Sequence, residues 1–163
     1  YGNEAQGKSK SAVLKEFTDG LRAQLEEQGT SLYIYADGAA LLGDNAAFLG
    51  EDIWAPLENG AAISAMPASF GIAFDVMETG SPVPLEVPVT HPGKTVSTVA
   101  ASMKTHLAPE ADSLVFLQAY TALEFSGVNF LEYTQTQIDQ QTEALKQVGF
   151  YSYILYNPSG TYP

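Results

Sequence analysis

The chain has 163 residues, 45% hydrophobic and 16% charged, a composition that buries roughly 70% of the unfolded surface as one domain and excludes intrinsic disorder. Nineteen acidic against seven basic residues give a formal net charge of -12, which repels nucleic acid and anionic membrane surfaces, so neither is an expected partner. The absence of cysteine excludes disulfides, thiolate metal sites and cysteine nucleophiles, while an oxidising compartment stays permitted.

The chain opens on YGNEAQGKSKSAV. It carries neither an initiator Met nor a leader, so it is expected to come from within a longer protein, and no apolar run reaches membrane-spanning length. Ser11 precedes AVLKEFTDGLRAQLEEQG, where Val13, Phe17, Leu21 and Leu25 recur at helical spacing and Gly29 stands in a C-cap position; this predicts the first helix. Ser31 to Gly38 is a short β-branched and aromatic run ending at the turn dipeptide Asp37-Gly38, and predicts a strand over Ser31 to Ala36. Past Gly43-Asp44-Asn45, a short helix is expected around Glu51 to Leu57. Ala61 to Met66 (AAISAM) follows as a buried strand, closed by Pro67.

The next stretch, MPASFGIAFDVMETGSPVPLEVPVTHPG, is too long and too rich in Pro and Gly for an ordinary connection and is expected to be a functional excursion. KTVSTVAASMKTHL carries Val96, Val99, Met103 and Leu107 on one helical face, and Ser113 to Tyr120 (SLVFLQAY) holds the third strand, over Ser113 to Gln118. A second excursion, TALEFSGVNFLEY, leads to a helix entered through Thr136, with Asp139 three residues on in a near capping-box arrangement and Gly149 at its close. Tyr151 to Tyr156 is the last strand. Four helix-then-strand units imply parallel strands joined by right-handed crossovers. Periodicity leaves two α/β architectures open for residues 1–163: a small doubly wound sheet forming a single domain, or half of a (β/α)8 barrel.

Generic motifs narrow the chemistry by failing. HPGKTV has the Gly93-Lys94-Thr95 of a P-loop, but Pro88 stands where the first glycine belongs, which leaves a helix N-terminus. The seven basic residues fall in predicted helices or their first turns, so a strongly phosphorylated ligand would meet few counter-charges at the strand ends. MPASFG puts Ser69 near a nucleophile-elbow pattern, with Pro67 in the place of its first glycine, and the two histidines, His91 and His106, lie in or beside the third helix. Neither these nor Asp37, Asp44 and Glu51 have metal-site spacing, and no metal or cofactor is expected. What remains at the strand ends is Asp37, Asp75, Glu78, Gln118, Tyr120, Glu124, Glu132, Tyr156 and Asn157. Glycoside hydrolysis needs paired carboxylates, one to protonate the leaving oxygen and one to act as base or nucleophile. The ordinary reading of any one carboxylate in an acidic chain is solvated surface.

LVFLQAY, a loop, and then YTQTQIDQQTEALKQVGFYSYILYNPSGTY resemble the end of a bacterial glycoside hydrolase-type barrel family of uncharacterised function. Its domains close with a Leu-Gln-aromatic strand, a helix of Gln-Ile-x-x-Gln character, a glycine and a strand ending in Trp-Asn or Tyr-Asn. FTDGLRAQLEEQG resembles the helix before that family's fifth strand, and GEDIWAPLENGAAISAMPAS its segment running to a Ser-Pro-Met strand end. The resemblance implies the C-terminal half of a (β/α)8 barrel, strands five to eight, with Tyr156 and Asn157 at the mouth formed by the strand C-termini. Departures are visible: Ala61 stands where the family's sixth strand opens with aspartate, Ala65 replaces the proline before Met66, and the fifth strand ends in Asp37-Gly38 rather than Phe-Gly.

On this resemblance the parent is an extracellular or cell-surface bacterial hydrolase of a polysaccharide or cell-wall glycan. Asp37 is the candidate catalytic acid, and Gln118, Tyr120, Tyr156, Asn157 and Ser69 are candidate carbohydrate contacts. The chain alone is expected to be inactive, because the fourth strand and its acid fall outside it. The alternative is a non-catalytic carbohydrate-binding or interaction domain on a degenerate barrel. For Asn157 a structural role, capping the turn before Pro158, is equally open. Half a barrel leaves edges and an inner face without partners, so self-association, or pairing with the missing N-terminal half, is expected.

Overall fold

The computed structural model describes residues 7–38, 60–67, 91–109, 111–120, 133–158 and 160. Three helices and four strands run in the order α1 (Lys10–Glu26), β1 (Ile34–Asp37), β2 (Gly60–Ser64), α2 (Pro92–His106), β3 (Asp112–Gln118), α3 (Gln135–Val148) and β4 (Tyr153–Tyr156). The helix expected around Glu51 to Leu57 lies outside the described residues, as do residues 68–90 and 121–132 of the two excursions.

The strands form one sheet in the order β1-β2-β3-β4. Every pairing is parallel, with Asp37 beside Ser64, Ser64 beside Phe116, Phe116 beside Ile154 and Gln118 beside Tyr156. Consecutive strands are neighbours throughout, as in a barrel wall. A doubly wound sheet reverses its strand order at a switch point, and the described strands show no reversal, so that alternative does not fit them. The parallel four-stranded α/β arrangement is consistent with half a (β/α)8 barrel. Two strands start later than the sequence suggests: β1 at Ile34 rather than Ser31, and β4 at Tyr153 rather than Tyr151.

Period-two alternation divides the sheet into two faces. One carries Ala36, Ala61, Ile63, Val115 and Leu117, which form a single core with Val96, Val99, Ala100 and Met103 of α2 and Leu145 of α3. Ile63, Val115, Leu117, Met103 and Leu145 are wholly buried, and each contributes about 1.5–3 kcal/mol by leaving water. The two covering helices are locked to each other. A Cβ on Gly93 would lie 2.8 Å from the Gln140 carbonyl oxygen, so glycine lets α2 approach α3 closely. At the other end of the pair, Lys104 Nζ of α2 donates to the Val148 carbonyl oxygen at 2.6 Å, satisfying one of the carbonyls that a helix C-terminus leaves open.

Helix boundaries depart from the expected caps. Ser9, not Ser11, caps α1, its hydroxyl accepting the Ala12 N–H at 3.1 Å. Gly29 has φ +68°, which lets Thr30 N–H turn back to the Leu25 carbonyl at 2.9 Å. The helix is laced by Lys15–Asp19 and Arg22–Asp19 pairs at 3.1 and 3.3 Å, while Phe17 stays 65% exposed. Helix α3 is entered through Thr134 rather than Thr136. Gln137 Oε1 accepts both the Thr134 N–H and its hydroxyl, at 2.9 and 2.6 Å, and Asp139 instead accepts from Gln135 at 2.8 Å. Tyr133 and Ile138, both buried, occupy the two positions of a hydrophobic staple around that cap.

Candidate functional site

The sheet face turned away from α2 and α3 carries Tyr35, Ala62, Ser64, Leu114, Phe116, Gln118, Ile154 and Tyr156, by the same alternation and register. Its aromatic members form a continuous row. Tyr35 meets Phe116 at 5.6 Å between ring centroids, Phe116 meets Tyr156 at 6.5 Å, and Tyr156 meets Tyr120 at 6.1 Å. All three contacts are edge-to-face, an arrangement worth about 0.5–1.5 kcal/mol per pair beyond burial. The row crosses the sheet from β1 to β4 toward its C-terminal end. Tyr35 and Tyr156 are 56% and 42% exposed, large apolar rings that a finished core would have covered.

Between the exposed rings lie buried polar groups. Gln118 is fully buried, and its Nε2 donates to the Tyr120 carbonyl at 2.8 Å. That bond bends the chain just past β3 so that the Tyr120 ring meets Tyr156. Ser64, at the end of β2 beside Phe116, is 1% exposed, and its hydroxyl has no hydrogen-bond partner among the described residues. The hydroxyl of Tyr133, also buried, likewise has none among them. Burial first, then the nearby Tyr120 oxygen, hold the Tyr133 phenol well above its ordinary ionisation range. Tyr120 is shifted in the same direction by burial, then by Tyr156 and Tyr35. These phenols are neutral at any physiological pH, so they serve as hydrogen-bonding groups rather than bases.

The candidates read from the sequence fall in three places. Gln118, Tyr120 and Tyr156 come together at the ends of β3 and β4. Asn157 adjoins them, but its Nδ2 donates to the Ala119 carbonyl at 3.0 Å, while its own carbonyl accepts the Gly160 N–H at 3.1 Å across Pro158. The Asn157 side chain thus extends the β3–β4 ladder by one rung and its backbone closes the turn. Asp37 ends β1, in register with Ser64; it lies three strands from β4, about 14 Å along the sheet at ~4.8 Å per strand. Ser69 lies outside the described residues, as do Asp75, Glu78, Glu124 and Glu132. Among the described residues Asp37 is the carboxylate at a strand C-terminal end, since Asp112 opens β3 and the others belong to helices or the turn after α1. No three His, Asp or Glu side chains among them gather as metal ligands. No described helix is long and apolar enough to cross a membrane. A groove between α2 and α3, lined by His91, Lys94, Gln140, Glu143 and Gln147, includes no strand-end residue.

Several residues of this face do not stand out in the sequence. Tyr35 and Phe116 read as ordinary strand aromatics, and only the register makes them neighbours. Ser64 looks like a small core residue. Gln141 carries a readable signal: it shares the buried stripe of α3 with Ile138 and Leu145, and an amide on an apolar stripe must find a buried partner. That partner is the backbone of Gln118, whose N–H donates to Gln141 Oε1 at 3.1 Å and whose carbonyl accepts from Gln141 Nε2 at 2.8 Å.

A protein-family model described as "Putative glycosyl hydrolase domain" matches residues 1–162. No curated protein and no solved structure matches the chain.

Proposed function

Because this chain belongs to the glycosyl hydrolase domain family whose model spans residues 1–162, we propose that its open sheet face is the carbohydrate-binding wall of a glycan-hydrolysing barrel. The aromatic row at the strand C-termini, with Gln118 and Ser64 buried between its rings, is the observation that carries this reading. A pyranose ring presents an apolar C–H face and a rim of hydroxyls. Aromatic rings pack against the first, while amides and hydroxyls at fixed positions pair with the second. The position is also right, since barrels hold their ligands at the strand C-termini.

In this reading Asp37 supplies one of the two carboxylates that hydrolysis requires, and Tyr156 and Tyr120 hold the sugar, with the buried Gln118 amide fixing the Tyr120 backbone from beneath. One observation favours a second reading, a binding domain without turnover: Ala61 stands where the resembled family's sixth strand opens with aspartate. A panel of soluble polysaccharides and cell-wall glycan fragments separates the two, with binding followed by calorimetry and hydrolysis by release of reducing ends. Tyr156→Ala is expected to weaken binding at least tenfold. In the full-length protein, Asp37→Asn is expected to abolish hydrolysis with binding retained. Full-length protein that binds but releases no reducing ends supports the binding-domain reading; full-length protein that binds none of the panel rules out both.

A further inference from the structure

Residues 64 to 67 and 116 to 119 carry a backbone problem that the strands alone do not solve. The Ala65 N–H donates to the Phe116 carbonyl at 3.0 Å, and the Ala119 N–H to the Tyr156 carbonyl at 3.0 Å. Backbone groups alternate sides along a strand, so Phe116 and Gln118 face β2 while Ala119 faces β4. The next rung of a parallel ladder would pair the Gln118 carbonyl with the N–H of residue 67. Residue 67 is Pro67, which has no N–H. Gln118 is fully buried, so water is no substitute partner.

The side chain of Gln141, reaching over from α3, takes that place. Its oxygen accepts the Gln118 N–H at 3.1 Å and its nitrogen donates to the Gln118 carbonyl at 2.8 Å, with a further 3.3 Å bond to the Gln137 carbonyl holding the amide in plane. One primary amide offers a donor and an acceptor side by side, the pair a strand residue would offer. From there the order passes on: the Gln118 side chain fixes the Tyr120 carbonyl, and the Tyr120 ring meets Tyr156.

We propose that Gln141 is a positioning residue for the glycan wall: it replaces the missing β2 rung, fixes the end of β3, and so sets the relative placement of Gln118, Tyr120 and Tyr156. Its effect on binding rests on the carbohydrate reading above; its effect on the strand end does not. Pro67 and Gln141 then form a functional pair. The proline releases the chain from the ladder after β2, and the glutamine keeps that release from loosening the wall.

Gln141→Leu keeps most of the volume and removes the amide; Gln141→Met is the second variant should Leu fold poorly. Gln137→Ala weakens the α3 cap without touching Gln118 and controls for general destabilisation. In native conditions, amide exchange at Gln118 is expected to speed up at least tenfold in the Gln141 variants and not in Gln137→Ala, with Tyr120 and Tyr156 ring resonances displaced. Glycan affinity, measured where all variants are fully folded, is expected to fall about tenfold, the order that one misplaced buried hydrogen bond costs, and to be unchanged in Gln137→Ala. Unaltered Gln118 protection in the Gln141 variants overturns the proposal. So does accelerated exchange with wild-type affinity, on a chain whose binding Tyr156→Ala weakens. If the wild-type chain binds no glycan, the carbohydrate reading fails, and the exchange and ring data alone decide for or against the positioning role.

Discussion

The two faces of one sheet are built to different rules. On the face under α2 and α3, small and β-branched residues are sealed, with Ile63, Val115 and Leu117 at 0% exposure, and nearly every contact is aliphatic. On the opposite face the same strands present Tyr35, Phe116 and Tyr156, two of them largely exposed, with Ser64 and Gln118 buried among them. The first face is closed by helices that follow within the same βα units, so its partners are local. The second has no such partner among the described residues. On the function proposed above, this combination of exposed rings and costly buried polar groups serves recognition rather than cohesion.

The sharpest way to break this contrast is to cut into both faces. Met103→Ala, beneath the covered face, is expected to cost about 2–5 kcal/mol through lost transfer energy and a cavity, read from urea unfolding, with glycan binding intact at a temperature where the variant is folded. A comparable cost from Tyr35→Ser on the open face would erase the distinction.

Alkaline titration tests the buried phenols. Tyr133 and Tyr120 are held above the ordinary tyrosine value of 10.0 in the folded chain, so in that range the unfolded chain gives up its protons first. Their contribution to stability is constant below pH 10 and is lost as pH rises from there toward the folded values, by up to about 1.4 kcal/mol per pH unit for the well-buried Tyr133 and by less for the half-buried Tyr120. Urea midpoints at pH 9, 10 and 11 should show the fall, and Tyr133→Phe should flatten part of it.

Ser64→Ala sharpens the comparison further. Removing a buried hydroxyl without a partner is expected to stabilise the chain by about 1 kcal/mol, while glycan affinity drops severalfold if the hydroxyl awaits a ligand. A gain in stability with unchanged affinity would make Ser64 a plain packing defect. The smallest effect belongs to Tyr35→Ser, below about 1 kcal/mol on thermal stability because the ring is already half in water.

Much of the covered face is legible in the amino-acid sequence, and little of the open one. Val96, Val99 and Met103 recur at helical spacing, and Ala61 to Met66 and Ser113 to Gln118 read as buried runs, because burial against local helices leaves a periodic trace. The strand order follows from the family resemblance rather than from periodicity, which leaves a doubly wound sheet open. Cap positions move by two residues at both Ser9 and Thr134, since KSKS and TQTQ each offer the same capping residue twice and only the geometry of the first turn selects one. The row from Tyr35 to Tyr120 is hidden because ring contacts across three strands depend on register. The link from Gln141 to Pro67 is hidden because it joins a side chain to a missing N–H 74 positions away (141 minus 67).

The edge-to-face row has an optical consequence. Tyr35, Tyr120 and Tyr156 stand with Phe116 in fixed, asymmetric ring contacts, and coupled phenolic transitions of that kind give rise to near-ultraviolet circular dichroism. The chain's one Trp, Trp54, absorbs further to the red. The open face therefore contributes its own share to the band of the chain's nine tyrosines: a ligand that settles against the rings, or a substitution that turns one of them, is expected to change the band's amplitude while the far-ultraviolet helix signal stays still, and the difference from Tyr156→Ala isolates that share.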